Sequence, residues 1–323
     1  MNVLITGIHG FVGSNLVEYL GDRFSIYGLD IVSPPNKKVI KTFTWDDFEQ
    51  KNKANNDEDE TLPNFDVVIH LAGKAHDTKN HSRAESYFRI NTDLTKKIYD
   101  YSLEHGVRKF VFFSSVKAAA DTVSDNVLTE DVVPSPVGPY GESKIAAERY
   151  ILSREKERID KGLDAFIMRP CMIHGPGNKG NLNLLYSVVN KHIPWPLGAF
   201  ENHRSFTSIG NLCYVIEQLI VNPIESGIYH MGDDEALSTN ELIEVICNTL
   251  GRKAHIWRIP CPVMKLVAKI GGWLHLPLNT ERLRKLTENY VVSNEKIKRA
   301  IGIDRMPVRA VEGLERTIMS FKR

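Results

Sequence analysis

A doubly wound α/β fold is what the first half of this 323-residue chain predicts, on three observations. Short runs rich in β-branched and aromatic residues alternate with amphipathic helical stretches as far as Pro170. Two of these runs, "FDVVIHLAG" and "RKFVFFSS", are apolar almost throughout, which suits strands of a parallel sheet buried on both faces. The first run leads straight into a glycine-rich turn and then a helix.

Taken in order, strands are predicted over Asn2–Thr6, Ser25–Asp30, Val39–Phe43, Asp66–Leu71, Lys109–Ser114 and Ala165–Arg169. Helical patterns fill Phe11–Gly21, Ser82–His105 and Tyr140–Lys161. After Pro170 the alternation loosens. "GPGNKGN" is rich in turn residues, and helices are expected near Leu182–His192 and Asn211–Val221. "GIYHMG" reads as one more strand of the main sheet. "LSTNELIEVICNTLG" is a helix with Ser238 and Glu241 placed as a capping box and Gly251 as its stop. The expected division is residues 1–170 as the sheet domain, with elements from about 205–232 returning to it, and residues 171–323 mainly as a smaller α/β lobe.

Composition narrows the functional classes. The chain has 41 basic and 40 acidic side chains, so its net charge makes no case for a nucleic-acid or membrane partner. The four cysteines (Cys171, Cys213, Cys247, Cys261) are widely spaced, with no Cys-x-x-Cys pair and no histidine cluster. Neither a disulfide framework nor a metal site is expected. "MNVLITGIHG" is no signal peptide, and the acidic run Asp57–Glu60 sits in a polar stretch, Asn52–Thr61, that reads as a solvated loop. "CPVMKLVAKIGGWLHLPL" is interrupted by Lys265 and Lys269 and is too short to span a bilayer. It reads as an amphipathic helix buried against the protein body rather than docked on a membrane surface. Together these features describe a cytoplasmic protein.

The glycine-rich turn carries the first chemistry. Gly7, Gly10 and Gly13, with Phe11 and Val12 between the last two, lie between strand and helix. Glycine permits positive φ at the turn, close approach of a pyrophosphate, and tight packing of helix on strand. The helix N-terminus offers unpaired N–H groups to the phosphates. This is the dinucleotide-binding arrangement of a Rossmann fold. Asp30, ending the second strand, can accept hydrogen bonds from a ribose and would repel a 2′-phosphate, which favours NAD over NADP. Lys37 and Lys38 stand nearby as cations that a loop could bring back. Asp46 or Asp47 reads equally as an adenine contact or a helix start.

With a nicotinamide cofactor implied, "PVGPYGESKIAAERY" gains meaning. Tyr140 and Lys144 are four residues apart on one helical face. A free phenol has a pKa of about 10, and a neighbouring cation moves it toward useful acid/base range. Ser115, at the end of the strand in "FVFFSSVKAAAD", lies where ligands gather in open α/β sheets.

The stretches "TGIHGFVG", "VIHLAGKAHD", "RINTDLTKKI", "FFSSVKAAAD", "PYGESKIAAE", "MRPCMIHGPG" and "HRSFTSIGNL" together resemble, in order, an extended short-chain dehydrogenase/reductase of the nucleotide-sugar epimerase/dehydratase branch. The resemblance implies that Ser115, Tyr140 and Lys144 form the catalytic set. It implies further that Leu71, Ala72 and Lys74 border the cofactor and that Asn91 is a polar contact on the nicotinamide side. Arg204 resembles the arginine that bonds a nucleotide-sugar phosphate; Asn181 and Leu182 fall where the uridine portion is received, and Lys117 sits beside Ser115 in the substrate site. There are departures. Met172 stands where asparagine is common and His174 where tyrosine is. "HRSF" replaces an Arg-Asp-Tyr run, and Val116 and Lys117 occupy the place of the acidic pair that dehydratases use. The resemblance therefore implies C4 epimerisation of a UDP-hexose or UDP-N-acetylhexosamine for surface polysaccharide. An NAD(P)H-dependent reductase of a UDP-4-keto-6-deoxy-amino sugar is the alternative, and a non-catalytic dinucleotide-sensing protein the rival from another class. A homodimer through the Ser82–His105 and Tyr140–Lys161 helices is expected from the family.

Overall fold

The computed structural model describes residues 1–53, 62–75, 83–123, 127–178, 180–274 and 278–322. Most of the Asn52–Thr61 loop and the first residue of the Ser82–His105 helix lie outside them.

In chain order the strands are β1 (Asn2–Thr6), β2 (Ser25–Leu29), β3 (Lys41–Phe43), β4 (Val67–His70), β5 (Lys109–Phe113), β6 (Asp164–Pro170), β7 (Met172–His174), β8 (Phe206–Ser208) and β9 (Gly227–Met231). Helices of the first half are α1 (Phe11–Leu20), α2 (Trp45–Lys53), α3 (Ala84–Tyr87), α4 (Leu94–Glu104), α5 (Val116–Ala119), α6 (Gly138–Ser153) and α7 (Glu155–Asp160). Those of the second half are α8 (Asn181–Asn190), α9 (Ile209–Val221), α10 (Thr239–Thr249), α11 (Cys261–Trp273), α12 (Thr280–Thr287), α13 (Glu295–Ile301) and α14 (Ala310–Ser320).

Seven strands form one parallel sheet in the order β3-β2-β1-β4-β5-β6-β9. Alternate side chains explain the uninterrupted apolar runs. Val3, Ile5, Val67, Ile69, Val111 and Phe166 point to one face, against α1 and α9. Leu4, Val68, Phe110, Phe112 and Ile167 point to the other, against α4 and α6. Each such side chain contributes about 1.5–3 kcal/mol by leaving water. Strand order reverses between β1 and β4, which opens a crevice at their carboxyl ends, the usual ligand position in such sheets.

Two expected helices are broken. A π-helical turn, Phe88–Asp93, joins α3 to α4, and the Tyr140–Lys161 pattern starts earlier and splits at Arg154, whose backbone leaves the helical region. The strand expected over Val39–Phe43 begins only at Lys41, because the Val39 N–H bonds Asn36 O in a turn.

Beyond β6, the pair β7-β8 and helices α8, α10, α11, α12 and α14 gather round a separate core that includes Leu182, Trp195, Ile246, Met264 and Leu314. The capping box at Ser238 and Glu241 is formed. Burial of the Cys261–Trp273 helix needs correction. Met264, Ala268 and Gly271 turn inward, whereas Val263, Leu266, Val267, Ile270 and Trp273 are exposed.

Candidate active site

Gly7 ends β1 with φ +69°, a conformation that favours glycine. A Cβ there would stand 2.9 Å from the Ala72 amide nitrogen, and one at Gly13 would lie 2.5 Å from the carbonyl oxygens of Gly7 and Ile8. The turn is thus closed tightly over the end of β4, and Gly10 caps α1, which starts with Phe11 and Val12 in its first turn. The Asn15 amide donates to Pro176 O at 3.2 Å, which ties α1 to the turn after β7.

Asp30 follows β2. Its carboxylate accepts the His9 N–H at 2.9 Å and the Ile31 N–H at 2.7 Å, one through each oxygen. Each oxygen keeps lone-pair capacity for a ribose hydroxyl. Lys38 is committed elsewhere, donating to Glu18 Oε1 at 3.0 Å and Asp22 Oδ2 at 2.9 Å. Asp47 closes a helix start with Thr44, its Oδ2 accepting the Thr44 N–H at 3.0 Å while Thr44 Oγ1 accepts the Asp47 N–H. A glycine cradle that any side chain would fill, a helix N-terminus and an acceptor carboxylate at the second strand fit NAD.

The end of β4 forms the opposite wall. The Ala72 N–H donates to Thr6 Oγ1 at 3.0 Å, and the Leu71 N–H to Thr6 O at 3.2 Å. Asn91, fully buried in the π-helical turn, accepts the Lys74 N–H at 2.7 Å and donates to Lys74 O and to Ser143 Oγ. The extra residue of a π-turn aims this amide sideways, so that it ties the strand end to α6.

Ser115 caps α5. Its Oγ accepts the Lys117 N–H at 3.2 Å, which leaves its own O–H for the Tyr140 hydroxyl. Gly141 makes that meeting possible, because a Cβ at this position would be 2.5 Å from Lys117 O and α6 could not lean on α5. Burial raises the Tyr140 phenol, the bond from Ser115 pulls it back down, and the nearby Tyr87 adds to the rise. Lys144, one turn along, is buried and donates to Phe113 O at 2.7 Å. Desolvation pushes its ammonium down to about 8, while the Glu148 carboxylate holds it up. The bond from Ser115 is the part of this arrangement that favours the phenolate of Tyr140. The lysine also places a cation beside Gly73, whose Cβ would stand 3.1 Å from Nζ.

Sequence reasoning gave no role to the groups beneath this row. Tyr140, Lys144 and Glu148 follow one another at every fourth residue on α6. Glu148 forms a fully buried pair with Arg169, Nη2 to Oε2 at 2.5 Å, and also accepts the Ser114 hydroxyl. His70 bridges Thr6 Oγ1 at 2.7 Å and Thr95 Oγ1 at 3.0 Å, and burial pushes its imidazole down to about 3, so it is neutral. The repeated spacing in "YGESKIAAE" was the one available signal for Glu148.

Of the residues expected to meet substrate, Arg204 lies between Leu237 and Tyr290 and donates to Lys285 O at 2.6 Å, with Glu288 at 3.9 Å. Lys117 donates to Asp121 Oδ1 at 3.2 Å and lies 4.5 Å over the Tyr290 ring. Tyr290 therefore links these two cations. Asn181 opens α8, and the Leu182 side chain belongs to the lobe core, so only its backbone could serve a ligand. His174 is buried against Thr317 Oγ1 at 3.0 Å, with Asp233 at 3.5 Å, which makes it a structural imidazole. Met172 packs on the lobe core.

Fold and site together define a dinucleotide-dependent α/β enzyme with a Ser, Tyr, Lys set at the sheet's carboxyl edge. The chain matches the NAD dependent epimerase/dehydratase family over residues 3–229 and belongs to it. Its cofactor is accordingly NAD. It is 30% identical to a UDP-glucose 4-epimerase of Vibrio cholerae over 99% of this chain and 95% of that one. An N-acetyl-alpha-D-glucosaminyl-diphospho-ditrans,octacis-undecaprenol 4-epimerase of Escherichia coli O157:H7 is 27% identical over 92% and 85% of the two chains. Among solved structures, UDP-glucose 4-epimerase from Thermotoga maritima, with UDP-glucose, superposes at a TM-score of 0.76 with 20% identity, covering 100% of this chain and 99% of that one.

Proposed function

We propose that this enzyme epimerises, at C4, a hexose or N-acetylhexosamine carried on a diphosphate, with UDP as the carrier, for synthesis of surface polysaccharide in the cytoplasm. The hydrogen bond between Ser115 and Tyr140, with the Lys144 cation one helical turn away, is the observation that carries the reading. NAD, when bound, supplies the hydride acceptor and donor for C4. Tyr140 removes the C4 hydroxyl proton and returns it after the 4-keto sugar has turned. Ser115 holds the C4 oxygen throughout, and Lys144 orients the ribose of the cofactor. Gly7, Gly10 and Gly13 cradle the pyrophosphate, Asp30 takes the adenosine ribose, and Arg204 holds the substrate diphosphate as a permanently charged fork. Anchoring through the diphosphate leaves the sugar free to rotate. The working division is a dinucleotide-binding part over residues 1–170 and a mainly substrate-binding lobe over 171–323. Two such chains pair through the Ser82–His105 stretch and α6, where Phe88 of the π-helical turn and Leu152 of α6 are exposed.

One-way reduction of a UDP-4-keto-6-deoxy-amino sugar is the second reading, favoured by Met172, which offers the sugar no polar contact. The purified enzyme incubated with UDP-GlcNAc or UDP-glucose, without added nucleotide, separates them. Formation of the C4 epimer supports the first reading. No epimer, but consumption of NAD(P)H with a 4-keto sugar, selects the second.

A further inference from the structure

Helix α11 has two apolar faces. Met264, Ala268 and Gly271 turn inward, packing with α12. Val263, Leu266, Val267, Ile270 and Trp273 turn outward, Leu266 at 58% and Trp273 at 80% exposure. At about 100° per residue they form a stripe roughly 120° wide. Lys265 and Lys269 border that stripe, exposed and without an acidic partner among the described residues. The approach to the helix continues the pattern, with Lys253, His255 and Trp257 exposed at alternate positions. From residue 252 to residue 280 the chain carries Arg252, Lys253, Arg258, Lys265 and Lys269 and no acidic side chain, although its overall net charge is only +1.

We propose that this face docks on an anionic lipid bilayer, α11 lying in the headgroup plane with its apolar stripe among the acyl chains. Both halves of the pattern are needed for that surface. Apolar side chains enter the acyl boundary, cations meet lipid phosphates, and tryptophan prefers the interface. A second copy of the chain is the poorer occupant, because a two-fold contact sets the lysines of both copies against each other. Among the described residues no helix is long and apolar enough to cross a membrane, so the contact is with the surface. Docking brings the substrate lobe to the bilayer, since α11 packs on α12 and Lys285 of α12 holds Arg204. The inference does not rest on the epimerase reading, because lipid binding is measured without substrate.

Flotation of the full chain with phosphatidylcholine vesicles, with or without about 30 mol % phosphatidylglycerol, tests it. The chain floats with the anionic vesicles, and at least about tenfold less with neutral ones or in about 0.5 M NaCl. Leu266→Ser/Ile270→Ser/Trp273→Ser lowers flotation about tenfold or more while the thermal midpoint and NAD binding are kept. Lys265→Glu/Lys269→Glu, at exposed positions where folding is not at stake, lowers it by about tenfold. Failure to float with anionic vesicles overturns the proposal. So does flotation that neither variant changes. A light-scattering mass that halves in the serine variant, with no flotation of the parent, assigns the face to a second copy instead.

Discussion

In the sheet half, the groups around Tyr140 are fixed by buried partners: Asn91 by Lys74 and Ser143, Lys144 by Phe113 O, Glu148 by Arg169 and Ser114. Where the sheet half meets the C-terminal lobe, Arg204 and Lys117 lean on Lys285 O, Glu288, Asp121 and Tyr290, partly open to water. The outward face of α11 is open altogether. A charge held in a low-dielectric site acts at full strength but cannot adapt, whereas one at a wet rim can change partners. In the proposed function, proton transfer at C4 needs the first kind of support and recognition of a carrier tolerates the second.

The largest effect should come from Glu148→Gln. It leaves the Arg169 guanidinium buried without a counter-charge, at a cost of about 3–5 kcal/mol in chemical unfolding. A loss under about 1 kcal/mol would erase the contrast between the two regions. Lys144→Met should lower kcat about 100-fold. It should also change two pH profiles. Burial holds the folded-state Lys144 near 8, below its ordinary 10.5. The unfolded chain therefore binds more protons between those values, and apoprotein stability from this group rises with pH across that window. NAD affinity in the parent moves the opposite way, falling as the cation discharges above about pH 8. Both slopes should vanish in Lys144→Met, as titration calorimetry and thermal melts would show. Arg204→Ala should raise KM for the nucleotide sugar about tenfold and leave kcat within about twofold, the mark of uniform binding. A kcat loss as large as that of Lys144→Met would move Arg204 into the rigid region. Smallest of all, Lys38→Met should leave the preference for NAD over NADP within about twofold, because Lys38 is tied to Glu18 and Asp22.

The parallel sheet and its order of elements were legible because both-face burial writes itself as apolar runs such as "VVIH" and "KFVFF". The candidate set Gly7, Gly13, Asp30, Ser115, Tyr140 and Lys144 stands out in the sequence because the chemistry proposed for it needs fixed spacing within a turn, a strand end or one helix. Long-range burial was not legible. Nothing local in the "MRP" of β6 says that Arg169 reaches across the sheet edge to Glu148, and His70 between two threonines reads from sequence as one polar residue inside a strand. The π-turn around Asn91 continues an ordinary helical pattern. Helix α11 packs on the protein body as expected, but its wide open face was not legible. With apolar residues on both sides, periodicity reports an amphipathic helix without saying which side the protein covers.

Tyr140→Phe, followed by two readouts on one preparation, bears most directly on the account. The ring and its edge contact with Tyr87 remain, so NAD should stay bound with unchanged affinity. Turnover should fall about 1000-fold once the phenol proton is gone. Turnover within about tenfold of the parent, with NAD still in place, would contradict the account by showing that another group moves the C4 proton.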